Sequence, residues 1–371
     1  MNRLPVVVLG LGNVGRSLVR QIIRNRPLHA SAYGLHLDIQ AVSDSSGYVA
    51  AAGDALPDSE LAAVVAAKEA GAALAVQDRG HAGVDAGAVI EAQGDRCTVF
   101  ADCSAADETS DALMRAVERG SCIALANKKP LTQSQAIYDR LTHTPEGTRR
   151  MSCTRWEATV GAGLPIIATL QRLCSSGDPV KSIAGSFSGT LGYVMTGLQA
   201  GQPFSAVVRE AHARGYTEPD PRDDLSGSDV ARKALILARG AGYRLELADV
   251  AITSLYPDDF AELSVADFLD ALPQLDAEMT RQCAQARAQD GCLRYVASIS
   301  EGTLAVGPRI VPLDSPLGRL AGTDNLVQFT SQWYAPLPLV IQGRGAGVEA
   351  TAAGMLSDIV ELAVANCAQY G

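Results

Sequence analysis

The sequence predicts an α/β protein, with a parallel sheet covered on both faces followed by a second, α+β domain. Over roughly the first 130 residues, short apolar runs alternate with helix-like stretches, which is the pattern of βαβ units. A glycine-rich turn joins the first apolar run to the first helical one. From Lys181 onward strand-like and helical pieces mix without that alternation, and no internal repeat or low-complexity segment interrupts them. The 371 residues, 47% hydrophobic and 19% charged, suffice for two or three domains at ~150 residues each and lack the composition of disorder.

Strands are expected at Val6 to Leu9, His36 to Ser43, Thr98 to Cys103 and Cys122 to Ala126. Between them, the Ala-rich stretch Ser59 to Ala70 reads as a helix with Asp58 or Ser59 as its cap, and Glu108 to Arg119 as another closed by Gly120. The alternation stops at the Pro-Glu-Gly-Thr segment around 145–152, and glycine and proline are dense from Ala158 to Pro165. A first domain is therefore expected over 1–150. The second domain is expected over 151–325, with strand-like pieces at Ser182 to Ser188 and Tyr295 to Ser300, and a further one at Leu339 to Ile341 beyond it. A glycine cluster, Gly343 to Gly347, precedes a periodic apolar helix at Thr351 to Ala368, so 326–371 is expected to return to the first domain.

Charge narrows the partners. Thirty-one Lys and Arg against 41 Asp and Glu leave a net charge of -10 with no basic run, which disfavours nucleic acid and anionic membrane surfaces. No stretch approaches the ~18 apolar residues of a membrane helix, and Met1 to Gly15 lacks the features of a signal peptide, so the expected compartment is cytoplasmic. The eight cysteines (97, 103, 122, 153, 174, 283, 292 and 367) form no C-x-x-C pair and are expected as reduced thiols. The five histidines (29, 36, 81, 143 and 212) contain no H-E-x-x-H, and no zinc ligand set is visible.

The glycine turn is the first chemical signal. Val6 to Leu9 runs into Gly10-Leu11-Gly12-Asn13-Val14-Gly15 and then a helical stretch from Arg16 to Ile23, so strand, G-x-G-x-x-G and helix stand in the order of a Rossmann-type dinucleotide site. The first glycine permits the tight turn, the second admits a pyrophosphate to the backbone, and the third lets helix and strand pack closely. The helix N-terminus adds amides and a positive dipole end. Asp44, at the end of the second strand, lies beyond the usual ~20 residues for a ribose-reading acid, and no Arg stands close behind it for a 2′-phosphate. NAD and NADP both fit, and Asp44 serves equally as a turn residue in Asp-Ser-Ser-Gly.

The second signal is Gly215 to Lys233, where five carboxylates (Glu218, Asp220, Asp223, Asp224 and Asp229) precede one lysine. Pro219 and Pro221 predict a rigid, extended first half, and Leu225 to Arg239 a helix capped by Ser226 or Ser228. On that helix Asp229 and Lys233 are four apart and share a face. The bland reading is a surface pair worth ~0.3–0.5 kcal/mol. Against it, carboxylates held by a stiff loop suit a ligand ammonium group. A partly dry Lys233 would be pushed toward neutrality while Asp229 opposes the shift, and that balance decides between proton transfer and simple polarisation of a carbonyl. Lys128, in Asn127-Lys128-Lys129-Pro130, comes directly after a strand of the first domain, where α/β folds place ligands; the alternative is an exposed Lys-Lys turn.

With these residues assembled, the chain resembles the homoserine dehydrogenase family. The resemblance is carried by Gly10 to Gly15, Asn127 to Pro130, Glu157 to Ile166, Gly189-Thr190-Leu191-Gly192-Tyr193, Gly215 to Lys233 and Gly343 to Gly354, the fifth being by far the most specific. It departs at Gly192, where many members have Asn. The resemblance implies reversible reduction of L-aspartate 4-semialdehyde to L-homoserine with NADP or NAD, toward threonine, methionine and isoleucine. It implies that Lys233 is the general acid/base oriented by Asp229, that Glu218 holds the amino group with Asp224 and Tyr216 completing the pocket, and that Lys128 binds the substrate carboxylate or assists proton transfer. Cofactor contacts would come from Gly10, Gly12, Asn13, Val14, Gly15, Ser104, Lys128 and Gly347. Glu157, with the carbonyls of Val160, Ala162 and Leu164, is similar to the family's sodium or potassium loop; the alternative is a glycine-rich hinge. The resemblance makes 151–325 the catalytic and dimerisation domain and implies a homodimer through its sheet. With the chain ending at Gly371, neither a regulatory domain, feedback inhibition by threonine through it, nor a fused aspartokinase is expected. Two rivals remain: an aspartate-semialdehyde dehydrogenase-like oxidoreductase, which needs an activated cysteine, and a non-catalytic nucleotide-binding sensor.

Overall fold

A computed structural model describes every residue except 54, 83–85, 93–97, 151–152 and 367–371. Cys97, Cys367 and the end of the expected last helix lie outside the described residues. Two compact units emerge, Met1–Gly163 with Gly347–Gly371, and Leu164–Ala346.

In the first unit the strands are β1 (Asn2–Leu9), β2 (Leu35–Asp44), β3 (Gly47–Ala50), β4 (Gly80–His81), β5 (Val99–Asp102), β6 (Cys122–Leu125) and β7 (Thr154–Arg155). Its helices are α1 (Asn13–Tyr33), α2 (Asp58–Glu69), α3 (Ala86–Ala92), α4 (Thr109–Glu118), α5 (Lys129–Thr132) and α6 (Gln135–Thr142). Among the described residues the strands form one sheet in the order β4-β3-β2-β1-β5-β6-β7. β1 pairs in parallel with both β2 and β5, whereas β3 turns back antiparallel on β2. Val6, Val7, Val8 and Leu9 are all buried, as expected for a strand covered on both faces, and this explains their unbroken apolar run. Leu18, Val19 and Ile22 of α1 pack in the same core as Met355, Ile359 and Leu362 of the C-terminal helix.

In the second unit the strands are β8 (Val180–Ser186), β9 (Ala251–Ile252), β10 (Gly291–Ser300), β11 (Thr303–Pro312), β12 (Asp324–Ser331) and β13 (Leu339–Arg344). Its helices are α7 (Ile166–Ser175), α8 (Gly189–Gln199), α9 (Phe204–Ala213), α10 (Pro221–Leu225), α11 (Ser228–Gly240), α12 (Val265–Ala271) and α13 (Asp276–Arg287). The sheet order is β13-β12-β8-β10-β11-β9 among the described residues, antiparallel except for the short β9–β11 pair. The chain then enters α14 (Val348–Ala365), which belongs to the first unit.

Several expectations change. The boundaries at 150 and 325 move to 163 and 346, because β12 hydrogen-bonds to β8 and carries β13 with it, and the 157–159 turn packs on α14. α2 has Pro57 at its cap position with no side-chain cap, since the Asp58 carboxylate is taken by Arg26 at 2.7–2.9 Å. Pro221 does not extend the acidic loop but starts α10, capped by Asp220, whose carboxylate accepts from the Arg222 amide at 3.0 Å. Leu225 therefore ends α10, and α11 begins only at Ser228 behind Gly227, at φ +76°, so neither Ser226 nor Ser228 caps it. None of the helices among the described residues is long and apolar enough to cross a membrane.

Candidate active site

In the first unit, a cavity of about 750 Å³ opens at the carboxyl ends of β1 and β5. The chain runs from β1 outward through β2 to β4 on one side and then crosses back to β5 on the other side of β1, which makes the β1–β5 gap the switch point where open α/β sheets bind ligands. Gly10 has φ +88°, and a Cβ on it would lie 2.6 Å from the Ser104 amide nitrogen, so the turn after β1 lies directly against the segment after β5. At Gly15 a Cβ would meet the Gly10 carbonyl oxygen at 2.1 Å, the close packing expected of the third glycine. Gly10, Gly12 and Ser104 line the cavity; Asn13, Val14, Gly15, Lys128 and Gly347 do not.

Two interactions that shape the cavity are not signalled by the local sequence. Asp102, fully buried at the end of β5, accepts from the Ser104 amide (2.9 Å) and hydroxyl (2.6 Å), from Thr109 (2.9 Å) and from the Asn127 side chain (3.1 Å), which fixes the shape of the 103–109 wall. Burial pushes its carboxyl up, against the downward pull of the Ser104, Asn127 and Thr109 donors. Also lining the cavity, Lys68, from the last turn of α2, forms an ion pair with Asp44. Asp44 Oδ1 also accepts from the Ser46 amide (2.7 Å) and hydroxyl (2.6 Å), so the residue is both a turn residue and a cavity residue. Burial pushes its carboxyl up, but Lys68 and Ser46 outweigh that and hold it below the ordinary carboxylate range. Lys68 is the cation that the sequence lacks directly behind Asp44, brought there from 24 residues along the chain by the position of α2.

Of the two adjacent lysines, Lys129 is paired with Asp107 at 2.6 Å. Lys128 is half-buried at the cap position of α5, beside Asn127, whose amide donates to the Ala106 carbonyl at 2.8 Å.

The second unit brings the other constellation together. The Lys233 ammonium, on α11, lies 2.8 Å from Asp229 Oδ2 and donates to the Phe187 carbonyl oxygen at 2.8 Å, with its side chain only 14% exposed. An ammonium has three N–H donors, so with these two partners among the described residues one direction remains for a ligand oxygen. Phe187 ends the β8 connection, and Thr190, at the start of α8, donates to the Tyr216 carbonyl at 2.6 Å while the Tyr193 and Tyr216 rings meet edge to face. Asp224 accepts from the Glu218 amide at 2.8 Å. Burial pushes the Asp224 carboxyl up, the Glu218 amide and Thr190 pull it down, and Asp229 pushes it further up. The five carboxylates of the loop now separate. Asp220 is held by Arg222, itself stacked over Phe268 and donating to the Ala261 and Leu263 carbonyls, so that pair builds the loop rather than the site. Asp229 pairs with Lys233, Asp224 holds the Glu218 amide, and Asp223 lies near enough to Asp224 to push its carboxyl up further.

At Gly192 a Cβ would lie 2.8 Å from the Gly322 carbonyl oxygen, and the Gly322 amide donates to Thr196, one turn further along α8. Glycine there lets the 322 turn lie against α8.

Glu157 is buried and begins a 3-10 turn, and Gly161 (φ +76°) and Ala162 (φ +58°) come next as consecutive left-handed residues that redirect the loop's carbonyls. Glu157, Val160 and Ala162 lie in the first unit, whereas Leu164 opens the second, its carbonyl accepting from the Ile166 amide at 2.7 Å. No group of three or more His, Cys, Asp or Glu among the described residues could hold a metal ion. Of the cysteines, 103, 122, 153, 174, 283 and 292 are free thiols, and burial pushes Cys103, Cys283 and Cys292 up, the opposite of an activated nucleophile.

The family model described as homoserine dehydrogenase matches residues 165–360. The homoserine dehydrogenase of Schizosaccharomyces pombe is 33% identical over 368 residues, covering 96% of this chain and 94% of that protein. A bifunctional aspartokinase/homoserine dehydrogenase of Haemophilus influenzae is 41% identical over 263 residues, covering 71% of this chain and 32% of that protein, so the chain matches about a third of the length of such relatives. Among solved structures, a Candida auris protein of unknown function superposes with a TM-score of 0.85 at 30% identity, covering 98% of this chain and 99% of that one. A hyperthermophilic archaeal homoserine dehydrogenase in complex with NADPH does so at 0.73 and 22% identity, covering 97% of each, and shares the fold.

Proposed function

The chain belongs to the homoserine dehydrogenase family, and from that premise we propose that it interconverts L-aspartate 4-semialdehyde and L-homoserine with a nicotinamide dinucleotide, in the biosynthesis of threonine, methionine and isoleucine. The observation that carries the reading is the Lys233 ammonium held between Asp229 and the Phe187 carbonyl with one N–H left over, in the same unit as the carboxylates of Glu218 and Asp224.

The dinucleotide, when bound, supplies or accepts the hydride at the aldehyde carbon. The chain's own residues do the rest. Lys233 gives a proton to the carbonyl oxygen as it becomes alkoxide, and takes it back in the reverse direction, with Asp229 orienting the ammonium. Glu218 and Asp224 receive the substrate ammonium, Tyr216 completes that pocket, and Lys128 serves the substrate carboxylate or the cofactor. Backbone amides from Gly10 to Gly15 at the start of α1 suit a pyrophosphate, with Ser104 and Gly347 as further contacts. We assign the ribose end to Asp44 and Lys68: the carboxylate suits the free diol of NAD and the ammonium a 2′-phosphate, so both cofactors are accepted. The NADPH held by the archaeal relative supports the second. The loop from Glu157, with the carbonyls of Val160, Ala162 and Leu164, is assigned to sodium or potassium. A homodimer through the sheet of the second unit, and a cytoplasmic location for a chain of scattered thiols, complete the reading.

Lys233→Ala tests it. Cofactor affinity by fluorescence titration is expected to stay within a few-fold, while the maximal rate of homoserine oxidation falls by the ~10²–10⁴ typical of a lost general acid/base. An unchanged maximal rate removes Lys233 from the chemistry.

A further inference from the structure

The loop assigned to a monovalent cation lies on a helix more than 180 residues further along the chain. The Glu157 amide donates to Asp358 Oδ2 of α14 at 2.9 Å, and Asp358 is 3% exposed. Four residues before it, a Cβ on Gly354 would lie 3.0 Å from the Ala162 carbonyl oxygen and 3.1 Å from the Gly163 Cα. Four residues earlier again, the Ala350 carbonyl oxygen would lie 2.5 Å from a Cβ on Gly163. Ala350, Gly354 and Asp358 share one face of the helix, so that face is a fitted bed: two small residues under Ala162 and Gly163, and a carboxylate under the amide that opens the loop. The neighbouring positions Met355, Ile359 and Leu362 are buried and apolar, and a carboxylate among them loses its hydration, which favours an apolar residue unless the hydrogen bond serves a purpose. Ala162 at φ +58° is a conformation that persists only where the surroundings over-determine it.

We propose that Asp358 is a positioning residue for the cation loop: by holding the Glu157 amide against α14, it fixes the backbone from which Glu157, the side chain assigned above to a monovalent cation, is presented. The proposal rests on the cation reading above and is separable from it by experiment. The chain has two tryptophans, Trp156 and Trp333. In the Trp333→Phe full chain, buried Trp156, adjacent to Glu157, reports the loop while potassium or sodium chloride replaces choline chloride at constant ionic strength. Hydrogen exchange of the 155–163 peptide reports the amide directly. Asp358→Ala is expected to speed that exchange and to raise the cation midpoint by the ~10- to 100-fold typical of lost support behind a metal ligand. Asp358→Asn keeps an acceptor oxygen and is expected to restore both. Should Asp358→Ala not fold, Asp358→Ser, whose oxygen is too short for the amide, takes its place. Unchanged exchange in these variants overturns the proposal, as does a shifted exchange with an unmoved cation midpoint. Faster exchange rescued by Asn in a chain whose Trp156 answers neither cation keeps Asp358 as the loop's anchor and removes the cation reading instead.

Discussion

Lys68→Ala is expected to change cofactor choice through a single ion pair. Asp44 cannot turn away from the cavity, because Oδ1 is fixed by two donors from Ser46 and Oδ2 faces Lys68. With Lys68 present the pair is neutral overall, and in the assignment proposed above its carboxylate would accept from a ribose diol and its ammonium would meet a 2′-phosphate. Its removal takes away a charge-assisted hydrogen bond to the phosphate, about 1.5–3 kcal/mol. It also leaves the Asp44 carboxylate, whose side chain is 9% exposed, facing that phosphate without its counter-charge. Together these make a loss of about 2–4 kcal/mol, on the order of 30- to 1000-fold in kcat/KM for NADP, with NAD changing several-fold at most. The assay is the initial rate of homoserine oxidation with each cofactor at fixed ionic strength, repeated at high salt, where the difference between wild type and variant with NADP is expected to shrink. Equal losses with NADP and NAD would refute the reasoning, since Lys68 would then only hold the turn in shape.

Gly192→Ala gains up to ~1 kcal/mol in helix propensity but drives a Cβ to 2.8 Å from the Gly322 carbonyl, an overpacking cost of ~1–3 kcal/mol, so the net expectation is a Tm lower by a few degrees; a higher Tm by calorimetry contradicts the packing argument. Burial raises the Asp224 carboxyl above its unfolded 3.8, so the folded state holds that proton more tightly and the group's contribution to stability, full below 3.8, is lost as pH rises through the folded value. Its ionised form is the one proposed to bind the substrate ammonium. The homoserine KM is therefore expected to rise on acidification at a pH above that of an ordinary aspartate, and Asp224→Asn to raise KM and flatten that limb; an identical acid limb in the variant assigns the titration to another group.

The nucleotide turn is readable because its determinants are local: a buried apolar strand, a glycine at positive φ and the start of a helix all fall between Val6 and Ile23. The same holds for the Asp229–Lys233 pair, which needs only helical spacing. The capping expectations fail where a distant residue competes for the side chain, as when Arg26 claims Asp58, or where the chain turns earlier than expected, as when Pro221 begins α10. The uniform acidic loop is likewise divided from outside, by the Phe260 to Leu263 carbonyls that anchor Arg222 and thereby remove Asp220 from the site.

Sequence by itself determined the dinucleotide turn, the Lys233 candidate and its aspartate, and the family resemblance, because each depends on residues within a few turns of one another. Tertiary structure alone decided that Lys68 meets Asp44, that Gly192 lies under Gly322 and that Asp358 holds Glu157. Those contacts span 24, 130 and 201 residues, and no spacing rule reaches so far: they exist only once sheet order and helix packing have brought separate parts of the chain side by side.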